Sequence, residues 1–337
     1  MKCLFLIITV ISIYSCNVTE PQKENFIPGR RDYLWSLDTL DIDITRGEYM
    51  TFRDMVGNSP DDIWLGNLEP GLWHYNGIEW RNVPFPGVIP SALWLFKDNT
   101  LWVGTGENKI LKRENDHWLE SFELDLAGYD WINIYGIWGK SKNDIYAVGM
   151  AVNVIKLGYD YEYKGIILHY NGTDWKYIDI TKFDGGFHKI VYQENIDLFF
   201  IYGLRSGNIN QDVILTFDGK NTKEIMSTND GIGLSKINGI VYINASLGKV
   251  YKYSKSGLVL WKDFTGTGFL TNFVGRSETD FINNSNKGIG HYNGIDYKTI
   301  YKTNLDLQSS IIFEKDIFIA AEDFNGNHII IRGKLKE

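Results

Sequence analysis

The sequence predicts an all-β chain that folds as a single seven-bladed β-propeller of four-stranded blades, with the last blade closed by the N-terminal strand. Three observations lead to this expectation. Aromatic residues make up 15% of the 337 residues and Gly outnumbers Pro by 34 to 7, which favours strands joined by tight turns. A pattern recurs about every 40 residues, the period of a four-stranded blade. The last repeat stops one strand short, and a strand-like segment near the N-terminus could supply the missing strand.

The repeats are aligned by the residue that opens the most apolar strand of each unit. These residues are Asp62, Thr100, Asp144, Asp197, Gly239, Asp280 and Asp316. In four units the following strand ends in a turn dipeptide: Asn76-Gly77, Asn171-Gly172, Asp218-Gly219 and Asn293-Gly294. Such dipeptides tolerate positive φ at both positions, so each is predicted to close a two-residue type I′ hairpin into the fourth strand.

The two ends of the chain predict how the ring closes. The last repeat ends at about 329–332, after its third strand, and residues 33–42 (YLWSLDTLDI) have no repeat of their own. Trp35 matches the aromatic residue that starts the fourth strand elsewhere, namely Trp80, Trp118, Trp175 and Tyr297. We therefore expect residues 33–42 to complete the seventh blade and cover an otherwise open sheet edge.

The N-terminus predicts export and lipidation. Lys2 precedes an apolar stretch over residues 4–13 that is too short to span a bilayer, and Ile13-Tyr14-Ser15-Cys16 resembles a bacterial lipobox, with Tyr14 bulkier than usual. The prediction is a lipoprotein signal peptide over 1–15, a lipidated Cys16 with a flexible tether over 16–32, and the propeller over 33–337. An ordinary signal peptide cut near Ser15 is the alternative. The only other cysteine is Cys3, so the mature domain is predicted to have no disulfide and no thiol chemistry.

The repeats LWVG and GLWHYNG, spaced as they are here, resemble the two-component-regulator-type propeller repeats of bacterial proteins and related lipoproteins of the Bacteroidota envelope. The resemblance covers about 33–335, and four repeats match well. It implies a propeller and a location in the bacterial cell envelope, as a membrane-anchored lipoprotein that is periplasmic or surface-exposed. It implies no particular reaction, because a fold does not set a function.

The residue types argue against several chemistries. The net charge of −8 disfavours non-specific nucleic-acid binding, since that needs a basic surface. His74, His169 and His291 occupy one repeated position and are predicted to be structural, which leaves His117, His188 and His328 scattered. The sequence has no paired-histidine zinc motif, nucleophile elbow or phosphate loop. No catalytic residue, metal or cofactor is therefore predicted.

The differences between repeats indicate a candidate ligand-binding surface. The longest loop between a second and a third strand, at 150–164, carries Tyr159, Tyr161 and Tyr163. It is either a β-hairpin extension or an aromatic platform on which sugar rings stack. The preceding segment Tyr129-Asp130-Trp131, and Arg205 in the next repeat, are expected on the same face. Tyrosine, tryptophan, arginine and carboxylates together are typical of recognition surfaces.

Three functions follow as hypotheses. The first is a lipid-anchored, non-catalytic binding module for a glycan or an envelope protein. The second is a structural scaffold in a surface protein complex. The third is a propeller-borne polysaccharide lyase or glycosidase that uses Tyr161, Tyr129 and Asp130 for acid–base chemistry. Binding to the membrane is expected only through Cys16.

Overall fold

A computed structural model describes the chain over 29–40, 52–67, 71–86, 89–156, 160–180, 183–206, 211–245, 248–254 and 256–337. These residues form seven antiparallel sheets of four strands each, arranged as a ring, which confirms the predicted seven-bladed propeller. Within a blade the strands are called A to D from the central axis outwards. One short 3₁₀ turn, Glu194–Ile196, lies between two strands of the fourth blade.

The blades follow one another along the chain. The strands of blades 1 to 3 are β2 (Phe52–Ser59), β3 (Asp62–Asn67), β4 (Leu72–Tyr75), β5 (Trp80–Val83), β6 (Pro90–Leu95), β7 (Leu101–Thr105), β8 (Lys109–Glu114), β9 (His117–Glu123), β10 (Trp131–Ser141), β11 (Asp144–Lys156), β12 (Asp160–Tyr170) and β13 (Trp175–Tyr177). Those of blades 4 to 6 are β14 (Gly185–Gln193), β15 (Leu198–Arg205), β16 (Gln211–Phe217), β17 (Thr222–Thr228), β18 (Ile232–Ile237), β19 (Ile240–Ala245), β20 (Lys249–Ser254), β21 (Gly257–Asp263), β22 (Phe269–Ser277), β23 (Asp280–Ser285), β24 (Gly288–Tyr292) and β25 (Tyr297–Lys302). Blade 7 contains β26 (Asp306–Ile312), β27 (Asp316–Glu322), β28 (His328–Leu335) and β1 (Tyr33–Leu40).

The ring is closed by β1, as predicted from the sequences at the two ends of the chain. It pairs with β28 over its whole length, from Tyr33 opposite Leu335 to Leu40 opposite His328. Trp35 lies opposite Gly333, and an added Cβ on that glycine would come within 2.6 Å of the indole ring. A side chain at position 333 would therefore displace the closing strand.

The hydrophobic core lies between the blades. Seven clusters of buried side chains are found among the described residues, and each draws on two neighbouring blades, including blades 7 and 1. The strand D aromatics reach back to the preceding blade: Trp118 donates its indole N–H to the Pro84 carbonyl, and Trp175 donates to Ser121 Oγ. Each blade thus buries its apolar face only against its neighbours.

The innermost strands carry β-bulges. In six blades the pairing of strand A with strand B shifts register near the start of strand A. A bulge re-aims side chains, and here several of them bond the backbone of the next blade's strand A. These contacts are Leu93 N to Asp54 Oδ2 (2.9 Å), Ser91 Oγ to the Ile134 carbonyl (2.7 Å), Lys189 Nζ to the Leu234 carbonyl (2.9 Å) and Phe52 N to Gln308 Oε1 (2.7 Å). Blade 5 makes a similar contact without a register shift, from Phe273 N to Ser235 Oγ (2.8 Å).

The repeated histidines make a structural contact in every copy. Nε2 of His74, His169 and His291 lies 2.7–2.9 Å from a carboxylate oxygen of Asp62, Asp144 and Asp280, respectively. Each aspartate opens strand B of the same blade, so the pair ties strand C to strand B. In blade 7, Arg332 takes the place of the histidine and bonds Asp316.

The turns between strands C and D differ from the prediction. The loop after Tyr75 has four residues, 76–79, and only Gly77 has positive φ (88°), so a two-residue type I′ turn was the wrong expectation. The Asn76 side chain accepts hydrogen bonds from the backbone N–H groups of Ile78 and Glu79, and the Tyr75 hydroxyl donates to the Gly77 carbonyl. The type I′ conformation occurs instead at Asn115-Asp116, where both residues have positive φ.

Candidate binding groove and central channel

The propeller has two unlike faces. The upper face carries the B–C loops, such as 323–327, and the D–A links, such as 124–130. The lower face carries the A–B turns and the C–D turns, such as 76–79 and 293–296. The predicted ligand-binding residues that the structure describes all belong to segments of the upper face.

Blade 3 extends beyond the others on the upper face. Strands β11 and β12 continue as a hairpin, in which Tyr163 pairs with Val152 and Tyr161 with Val154. The β-hairpin interpretation of this loop is therefore correct. The preceding D–A link holds the hairpin, because Asp130 N donates to the Val152 carbonyl and Asp130 Oδ2 accepts from Val154 N, both at 2.8 Å.

A groove of about 570 Å³ lies between this hairpin and the start of blade 4. We call it the tyrosine groove, and its lining residues are Tyr129, Tyr161, Glu162, Tyr163, Lys164, Asp179, Ile180, Phe183 and Asp184. Four aromatic rings thus surround a space bounded by three carboxylates and one ammonium group. Burial, followed by the nearby charge of Glu162, raises the pKa of Tyr129, so its hydroxyl stays protonated and can donate a hydrogen bond at neutral pH.

The structure brings most of the predicted site residues together, with different roles. Tyr129, Tyr161 and Tyr163 line the groove. Trp131 lies at its edge, half exposed, with its ring centroid 6.5 Å from that of Tyr161. Arg205 lies behind the groove, where its guanidinium is 5.6 Å from the centroid of Phe183.

Asp130 and Tyr159 complete the predicted set. The Asp130 carboxylate bonds the backbone of the hairpin, as described above. Tyr159 lies outside the described residues.

A second cavity occupies the centre of the ring and was missed by the sequence analysis. This central channel has a volume of about 470 Å³ and is lined by the A strands, with Tyr202 from a strand B. Near its upper mouth, Tyr135 stacks on His188 with centroids 4.8 Å apart and planes 12° apart. Burial, together with the charge of Arg53, lowers the pKa of His188 to about 4, so the ring is neutral at pH 7. His188 was noticed only as a histidine outside the repeated position.

In the part of the chain that the structure describes, no group of three or more histidine, cysteine or acidic side chains could hold a metal ion. Over the same residues, no helix has the length and apolar character needed to cross a bilayer.

The fold, the tyrosine groove and the central channel define a β-propeller with a grooved upper face. No family model matches the chain, and no curated protein matches it. Among solved structures, the chain is similar to YCF48 bound to D1 peptide, with a TM-score of 0.63, 13% identity and coverage of 92% of this chain and 100% of that one. It is also similar to the Neurospora crassa Pan2 WD40 domain, with a TM-score of 0.62, 8% identity and coverage of 92% and 98%. The computationally designed Ika8 protein matches with a TM-score of 0.52 and 12% identity over 84% of this chain and 96% of that one. At these identities the similarity establishes the propeller fold alone.

Proposed function

We propose that the protein is a lipid-anchored, non-catalytic binding module of the bacterial cell envelope, and that it holds a glycan in the tyrosine groove. The observation that carries the proposal is the lining of the groove, in which aromatic rings and carboxylates face one space. Sugar rings stack on flat aromatic side chains, while carboxylates accept hydrogen bonds from hydroxyl groups. A volume of about 570 Å³ lies within the range of ligand pockets.

A protein partner is the second candidate. Glu162, Asp179 and Asp184 give the groove three negative charges against the single positive charge of Lys164. A basic segment of a protein would match that charge, and one propeller of similar fold was solved with a peptide bound. The two candidates differ in salt dependence, because only the binding of a basic segment weakens strongly as ionic strength rises.

Catalysis is the weaker hypothesis on geometric grounds. Of its candidate acid–base residues, Asp130 is committed to the backbone of the hairpin, at 2.8 Å from Val154 N. Tyr129 remains as a candidate proton donor, but its raised pKa makes it a poor base near neutral pH.

The envelope location is supported by the sequence. The lipobox-like Ile13-Tyr14-Ser15-Cys16 follows an apolar stretch of signal-peptide length. Diacylglycerol on Cys16 with a further acyl chain would give stable anchoring. Labelling with radioactive palmitate, which should be lost in Cys16→Ala, tests this part.

A glycan array followed by calorimetric titration tests the groove. We expect a hit whose affinity falls at least about tenfold in Tyr161→Ala and in Tyr163→Ala, since each removes a ring from the lining. Phe324→Ala is the matched control, because Phe324 is a 92% exposed aromatic residue on the same face but in blade 7. Release of shortened or unsaturated sugars from the bound glycan would contradict the non-catalytic assignment. Binding that is insensitive to both tyrosine substitutions would place the ligand elsewhere.

A further inference from the structure

The upper mouth of the central channel brings together side chains from three separate A strands. Arg53, Tyr135 and His188 each occupy the register shift of their own strand, in blades 1, 3 and 4. The corresponding residue of blade 2 is Ser91, whose small side chain is turned to backbone carbonyls. Arg53 can therefore extend across blade 2 towards Tyr135.

These side chains form a continuous stack. The Arg53 guanidinium lies 5.5 Å from the Tyr135 ring centroid, Tyr135 stacks on His188, and His188 lies 5.9 Å from Tyr202 by ring centroids. The Tyr202 hydroxyl is fixed by a 2.6 Å hydrogen bond to Asp212 Oδ1. The stack holds the guanidinium at the mouth of the channel, beside two side chains that can donate hydrogen bonds.

Among the described residues that line the channel, every charged side chain except Arg53 has a partner of opposite charge. Lys189 and Asp54 attract one another, and each also bonds backbone, at the Leu234 carbonyl and Leu93 N, respectively. Lys236 forms an ion pair with Glu194 at 2.6 Å. Arg53 is exposed, and its guanidinium has neither a carboxylate nor a hydrogen-bond acceptor among the residues that the structure describes.

Two neutral donors face the same space. The Tyr135 hydroxyl makes no hydrogen bond to any described residue, and burial raises its pKa, so it keeps its proton. The His188 ring also has no hydrogen-bond partner within the described ranges and is neutral at pH 7, so it offers one N–H donor. The guanidinium can balance the charge of a group that carries one negative charge, and the two neutral donors can hydrogen-bond the same group.

We propose that the upper mouth of the central channel binds one carboxylate group, with Arg53 as its ion partner and Tyr135 and His188 as hydrogen-bond donors. A planar carboxylate matches the fork of a guanidinium, which donates two parallel hydrogen bonds to it. A single carboxylate also matches the single uncompensated charge, whereas a phosphate dianion would be left with excess negative charge. The carboxylate belongs to a small organic acid or to the end of a partner chain, and this site is independent of the tyrosine groove.

Calorimetric titration of the full-length protein with matched probes tests the proposal. The probes are benzoate, N-acetylphenylalanine, N-acetylphenylalanine amide and inorganic phosphate. We expect at least one of the two carboxylate probes to bind. The amide and phosphate should bind at least tenfold more weakly than that carboxylate. Binding of both acids with similar affinity would indicate a small organic acid, whereas a preference for N-acetylphenylalanine would indicate the end of a chain.

Substitutions then locate the carboxylate. Arg53→Gln should lower its affinity at least tenfold, and Tyr135→Phe should lower it severalfold without removing the stack. Arg81→Gln is the matched control, because Arg81 lies in the same blade on strand D, two-thirds exposed and paired with Glu79. The ring signals of His188 in NMR spectra should shift on titration of the unsubstituted protein and stay unchanged in Arg53→Gln.

Several results would overturn the proposal. The first is that phosphate or the amide binds as tightly as the acids. The second is that neither acid binds, and the third is that the affinity for the carboxylate is unchanged in Arg53→Gln. The melting temperature of Arg53→Gln distinguishes a lost site from a lost fold. If that variant melts early, Tyr135→Phe and the His188 signals decide the question.

Discussion

The aspartate–histidine pairs that recur in several blades differ in how deeply they are buried. Asp62 and His74 are each about one-quarter exposed, whereas Asp280 and His291 are both fully buried. Burial acts to raise the pKa of Asp280, but the hydrogen bond with His291 and the charge of Arg276 outweigh it and lower that pKa. The buried copy is therefore an ionised carboxylate that depends on its partners, while water can replace part of the contact in the exposed copy.

Alanine at the two positions should consequently have unequal effects. Asp280→Ala leaves Arg276 and His291 without their carboxylate in a closed space, and we expect a loss of about 3–5 kcal/mol in the free energy of unfolding. Asp62→Ala removes the equivalent, partly exposed contact and should cost about 1 kcal/mol. Urea denaturation of the two variants measures the difference, and equal losses would show that burial does not govern the pair.

The closing strand β1 is the element on which the ring depends most. It covers the edge of β28, buries Tyr33 and Leu40, and packs Trp35 on Tyr301 of blade 6 with ring centroids 4.8 Å apart. Without it, the β28 edge would be open to solvent, and so would the two inter-blade cores to which Tyr33 and Leu40 belong.

Deletion of residues 33–40 should therefore lower the melting temperature by about 10 °C or more, since several buried side chains of about 1.5–3 kcal/mol each are lost. Deletion of residues 17–28, which precede the described chain, is the control and should leave the melting temperature nearly unchanged. Calorimetry gives the temperatures, and size-exclusion chromatography shows whether the open edge causes association. A monomer of normal stability without 33–40 would contradict the role given to β1.

The strands could be predicted from the sequence, whereas some turns could not, because individual side-chain contacts decide the conformation of a turn. Strand B of each blade is a run of apolar residues that fits only a buried strand. Its position could therefore be predicted from the sequence. Asn-Gly suits several turns, and the choice after Tyr75 is made by the Asn76 side chain and the Tyr75 hydroxyl. Those contacts depend on the three-dimensional course of the chain.

At the scale of the whole molecule, the tyrosine groove and the central channel differ in how far the sequence predicts them. The tyrosine groove comes mainly from one hairpin and the segment before it, so Tyr129, Tyr161 and Tyr163 could be grouped from chain proximity. Arg53 and His188 are 135 positions apart and meet only because their strands both lie on the axis. The bulges that turn these residues into the channel leave no recognisable spacing in the sequence.

The described part of the chain enters the ring on one particular face of the propeller. Tyr33 pairs with Leu335 at the lower end of blade 7, and Arg31, just before it, forms a 2.6 Å ion pair with Asp296 in a lower-face turn. The described part of the chain therefore begins at the lower face. If Cys16 is acylated as proposed, the lower face is directed towards the lipid and the upper face away from it.

This orientation can be measured because residues 17–337 contain no cysteine. Ile78→Cys on the lower face and Phe324→Cys on the upper face replace side chains that are 87% and 92% exposed. On vesicles carrying the lipidated protein, a bulky maleimide should label position 324 faster than position 78, and the rates should become similar in detergent. Equal rates on vesicles would contradict the orientation. A propeller held in this way presents the groove and the channel mouth to whatever approaches from the aqueous side, while its lower turns act as a spacer above the bilayer.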